Sequence, residues 1–127
     1  MDFATHFPES CPPNTASSAD GEIFRLIKRM PASASDFVSR YAWGPNGRHP
    51  ERLVCEAYGL TVFLTENDAR AAREISPYCR MRLIARARVT PDWGVLQATP
   101  GVAPGHFTWW VPSGKAPETI FEAVECA

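Results

Sequence analysis

Residues 59–76 read GLTVFLTENDARAAREIS. The first seven are rich in β-branched and aromatic side chains, the composition of a strand. The remainder is helical in character. Thr65 stands where an N-cap hydroxyl is needed, Asp68 falls in the first turn where a negative charge meets the helix dipole, and Ser76-Pro77 supplies the stop. A strand running straight into a helix calls for a mixed architecture, and the flanking segments decide which kind. EIFRLIK (22–28), MRLIARARVT (81–90), VLQAT (95–99) and HFTWWV (106–111) read as four more strands. The last three are separated only by short Gly/Pro-rich turns, which favours antiparallel pairing. SASDFVSRYAWG (33–44) reads as a short helix, with Ser33 or Ser35 as cap and Gly44-Pro45 as stop. A closing helix is expected from about Pro117, with Ile120, Phe121 and Val124 as its apolar stripe. The fold class expected is therefore α+β: a mostly antiparallel sheet of about five strands with two to three helices. An irregular N-terminal arm over residues 1–21 precedes a single domain over 22–127.

Alternation within the strands nominates the candidate site residues. Arg25 shares a strand face with Ile23 and Ile27. If that face is the core, its guanidinium must meet a carboxylate or an anionic ligand. If Phe24 and Leu26 form the core face, Arg25 is an ordinary solvated residue. His106, after the Gly/Pro loop 100–105, shares a face with Thr108 and Trp110. It is read either as a general base or ligand contact at a cleft, or as an edge histidine bonded to nearby backbone. Adjacent Trp109 and Trp110 must point to opposite faces, so either both faces of the sheet are covered, by helices or by the N-terminal arm, or one tryptophan lines a cleft or a partner surface. In MRLIARARVT, Met81, Leu83, Ala85, Ala87 and Val89 are expected inward and Arg82, Ile84, Arg86 and Arg88 outward.

Bulk properties narrow the classes. At 127 residues, 45% hydrophobic and 21% charged, the chain has globular composition. A net charge of −1 makes nucleic acid an unlikely partner, although Arg82, Arg86 and Arg88 make a basic row. No apolar run is long enough to span a membrane, and MDFATHFPESCPP lacks the apolar centre of a secretory signal, so cytoplasm is the expected compartment. The four cysteines, Cys11, Cys55, Cys79 and Cys126, form no Cys-x-x-Cys pair and are expected as reduced, mostly buried thiols. HFPESC and HPERLVC lack the spacing of a zinc site.

Two resemblances add to this reading. CPPNTA, GEIFRLIK, CEAYGLTVFLTENDA and HFTWW together resemble a group of short bacterial proteins of unassigned function. FRLIK followed by GLTVFLTENDARAA resembles the layout of small ADP-ribosyltransferase-like domains, including the bacterial toxin branch. That second resemblance implies NAD as cofactor, with Arg25 contacting its phosphates and Tyr41 or Phe63 stacking on nicotinamide. Thr65 would lie at the strand end beside it, His106 would substitute as a polar contact, and Thr108 and Trp110 would complete the cofactor surface. The late glutamate of that family has no counterpart on the final strand, where His106 and Thr108 stand instead. The competing class is a protein-binding module of immunity, antitoxin or accessory type, with an exposed Trp110 as anchor.

Overall fold

The computed structural model describes residues 2–3, 7–39, 54–75, 79–101 and 103–124. Among these residues seven strands form one antiparallel sheet: β1 (Ser17–Ser18), β2 (Gly21–Ile27), β3 (Leu60–Phe63), β4 (Leu83–Val89), β5 (Val95–Ala98), β6 (His106–Trp110) and β7 (Glu122–Ala123). Their order is β1-β5-β6-β3-β2-β4-β7. The helices described beside them are α1 (Val54–Ala57) and α2 (Glu66–Ile75). The class is α+β, as expected, with more strands than the sequence revealed.

This order forces the sheet to curl. β1 and β2 lie four places apart, which in a flat sheet is about 19 Å at ~4.8 Å per strand. The link from Ser18 to Gly21 spans three peptide units and reaches at most about 11 Å. β4 and β5, expected as neighbours, are also four places apart, joined through the 3-10 turn Pro91–Trp93. Ala19 and Trp93, one on each link, belong to or pack against the one core cluster that includes Ile23, Ile27, Val62, Val89 and Trp109, so the sheet closes over that face. The other face carries Phe24, Phe63 and Ile84, covered by Ala69 and Ala72 of α2. Those two alanines sit one helical turn apart, and their small side chains bring α2 close to the strands. Thr65 caps α2, its hydroxyl accepting from the Asp68 N–H at 3.1 Å.

A sheet covered on both faces explains where the sequence reading fails. Ile84, expected outward, is fully buried beneath α2, while Met81 lies outside the strand and is 88% exposed. The 33–44 segment forms a 3-10 turn, Ala34–Phe37, and the chain is already extended at Val38; its remainder from residue 40 falls outside the described residues. The closing helix is replaced by a 3-10 turn, Pro117–Thr119, and the edge strand β7. Pairing wins there because β4 offers a free edge, and Phe121 and Val124 enter the cores on opposite faces, which a strand allows and a single helix stripe does not. The N-terminal arm is not irregular throughout: β1 pairs with β5, and Cys11 is bonded to Cys55. The arm's path against α1 brings these Cα atoms to 5.5 Å, which corrects the expectation of reduced thiols for this pair. Cys79 is a free, half-buried thiol. No helix among the described residues is long and apolar enough to cross a membrane.

Candidate functional site

The site begins with a fault in the sheet. Among the described residues β2 and β3 pair at Phe24↔Phe63 and nowhere else, so the strands part beyond that bridge. The carbonyl of Thr61, left without a strand partner there, must be satisfied by other means. Arg25 does this, donating from Nη1 to Thr61 O at 2.6 Å. Its Nε and Nη2 both donate to the carbonyl of Asp36, at 3.0 and 2.7 Å, and its guanidinium lies 5.2 Å from the centre of the Phe37 ring. Arg25 does sit on the face of Ile23 and Ile27, but its partners are main-chain oxygens rather than a carboxylate. It braces the parted strand against the 3-10 turn. Burial lowers its pKa from 12.5 to about 10; the charge of Asp36 opposes this and that of Arg82 adds to it.

Asp36 is the matching anchor. Its carboxylate accepts from the N–H of Lys28 at 3.0 Å and of Ser33 at 3.1 Å. Burial by itself would raise this pKa. The hydrogen bonds from the Lys28 and Ser33 N–H groups and the Ser33 hydroxyl, helped by the charge of Lys28, outweigh burial and hold it below the usual carboxylate value.

Beneath the gap, on the α2 side, lies a cavity of about 370 Å³. Its lining includes the buried Phe63, His106 and Thr108 and the exposed Thr61, which cross-strand register sets side by side: Thr61↔Thr108 and Phe63↔His106. Ala72 and Ile75 of α2 form one wall, Glu56 of α1 and Gly59 another, and Arg25, Lys28 and Arg82 bring positive charge to the lining. His106 is 7% exposed. Its Nε2 lies 3.1 Å from the Thr61 hydroxyl and its Nδ1 2.8 Å from that of Thr99, which in turn lies 2.9 Å from the hydroxyl of Thr108. Phe63 meets the imidazole edge-on at 6.0 Å between centroids.

The nominated residues therefore divide. Arg25, Phe63, His106 and Thr108 converge on one cavity, and Thr61 is bonded to both Arg25 and His106. Thr65 is spent on capping α2 and lies away from the cavity lining. Trp110 is 1% exposed and donates its indole N–H to Cys55 O at 2.9 Å, so it is neither a stacking platform nor a surface anchor. Trp109 is likewise buried, bonded to Trp93 O; both tryptophans are interior because both faces are covered. Tyr41 falls outside the described residues. The arginine row is broken up: Arg82 faces the cavity, while Arg86 pairs with Glu122 at 3.0 Å and Glu22 at 3.7 Å. Sequence reasoning missed Thr61, Thr99, Asp36 and Glu56, since nothing local marks a threonine or carboxylate whose partner is distant in the chain. Among the described residues no cluster of His, Cys, Asp and Glu is arranged to hold a metal ion. No family model, curated protein or solved structure matches the chain.

Proposed function

We propose that this cavity binds a small anionic ligand with a flat or apolar body, and that the ligand is a nicotinamide nucleotide. The observation that carries the reading is the convergence of Arg25 and His106, from opposite ends of the chain, on one cavity floored by Phe63. Its volume lies at the lower end of the roughly 300–1,000 Å³ usual for ligand pockets, which suits one nucleotide half of NAD. Among the described residues three cations line it against two carboxylates, and Asp36 is already committed to Lys28 and Ser33. Arg82 stands near enough to Arg25 to disfavour its charge, a repulsion that a bound phosphate between them relieves. The direct phosphate contact is assigned to Arg82, with Lys28 beside it, because the Arg25 donors hold the cavity walls. The sequence resemblance supplies the role, an ADP-ribosyltransferase-like effector or toxin. The Cys11–Cys55 bridge favours an oxidising compartment over the cytoplasm expected from the sequence, since such bonds persist chiefly there.

Titration calorimetry with NAD, nicotinamide mononucleotide and the phosphate-free nicotinamide riboside tests this. The phosphate-bearing compounds are expected to bind tighter, and Arg82→Ala to weaken them about tenfold or more, the scale of one charge-assisted hydrogen bond. Equal affinity for mononucleotide and riboside would sink the anion assignment. Absence of heat with all three would end the nucleotide reading.

A further inference from the structure

The hydroxyl chain through His106 has a direction, and its direction specifies a ligand. A neutral imidazole carries one N–H and one bare nitrogen. With the proton on Nδ1, His106 donates to Thr99, Thr99 donates to Thr108, and the Thr108 O–H is left to point outward; Thr61 meanwhile donates to Nε2 and keeps bare lone pairs. With the proton on Nε2 every bond reverses. Thr61 then has the outward O–H, and Thr108, now donating to Thr99, keeps the bare lone pairs. In both states one end of the chain is a donor and the other an acceptor.

Both ends line the cavity. Thr61 and Thr108 are also direct cross-strand partners, a relation that sets Cβ atoms about 4.5–5.5 Å apart. Thr108 is 3% exposed, and its hydroxyl has no partner but Thr99 among the described residues, so an outward proton there is costly unless a ligand accepts it. Resting on the small-ligand reading of the same cavity, we propose that it selects a ligand with a donor and an acceptor side by side: a cis-amide edge, as in a lactam or the imide face of a nucleobase. The ligand's orientation then sets the tautomer of His106. Phe63, edge-on to the ring, holds the imidazole in the plane that both bonds need.

The test uses 2-pyridone, which has the adjacent N–H and C=O, against 1-methyl-2-pyridone, which keeps only the acceptor. Binding is followed by NMR on protein labelled with ¹⁵N at histidine. 2-Pyridone is expected to bind and to move the two ring nitrogen signals of His106 in opposite senses, and the methylated probe to bind about three- to tenfold more weakly, the scale of one hydrogen bond. Thr61→Val should lower 2-pyridone affinity by a similar factor, and Thr61→Ser should restore it. Equal binding of the two probes, or unmoved ring nitrogens at saturation, overturns the proposal. Should Thr61→Val leave 2-pyridone affinity unchanged while nicotinamide mononucleotide still binds wild type, the donor–acceptor selection falls and the nucleotide reading stands. Should the mononucleotide fail to bind while the pyridone pair behaves as described, the nucleotide reading falls and the selection stands. If no probe binds, both fall.

Discussion

Replacing both Cys11 and Cys55 by serine cuts the covalent tie between the N-terminal arm and the wall of the cavity. The two residues are 44 apart in sequence. Closing a loop of that length in the unfolded chain costs entropy that the cross-link has already removed, about 4 kcal/mol on the chain-entropy estimate. An unfolding entropy of roughly 2.1 cal/mol/K per residue over this chain converts that into a midpoint lower by about 15 °C. The loss is not confined to the arm, because α1 also holds Glu56 at the cavity and offers the Cys55 carbonyl to the Trp110 indole. Calorimetric melting of wild type and the double variant, without reductant, measures the shift. Thiol titration in denaturant checks the premise: wild type and Cys11→Ser/Cys55→Ser should expose the same number of reactive thiols. Two extra thiols in the wild type, or melting points within a few degrees, would refute the argument.

Three further outcomes rest on particular residues. Gly94 has φ +110°, and a Cβ there would overlap the Trp110 carbonyl oxygen, whereas Gly114, at φ +86°, has open space around it. Gly94→Ala should therefore cost several kcal/mol and Gly114→Ala only about 1 kcal/mol, read from urea unfolding; equal costs would mean that the close approach at Gly94 is not there. Asp36→Asn should flatten the acid limb of stability. The Asp36 pKa is lower folded than unfolded, so its contribution is complete above the ordinary value of 3.8 and is lost as pH falls through the folded value. Unfolding series from about pH 6 down to about pH 2 should show wild type and variant converging at the acid end, and a constant gap throughout would contradict the assignment. Trp110→Phe keeps an aromatic ring but drops the donor to Cys55 O. It should lower stability by about 1 kcal/mol with nucleotide affinity unaltered, since the indole is structural.

Sequence alone determined the α+β class, the antiparallel tendency, and the strand–cap–helix run from 59 to 75, because those depend on alternation, capping and chain-stop chemistry within a few residues. It also brought out Arg25, His106 and Thr108, since an arginine between isoleucines and a histidine on a polar strand face break local patterns, whereas Phe63 was named only through the family resemblance. Tertiary structure decided what those residues do. Whether Arg25 clamps a ligand or braces a carbonyl depends on β2 and β3 parting after one bridge, which no local pattern encodes. Trp110 and the closing segment were misassigned for the same reason: a sheet curled by two short links buries both faces and opens an edge at β4 for β7. The Thr61–His106–Thr99–Thr108 chain is the furthest from sequence, because its bonds join residues on separate strands that only register brings together.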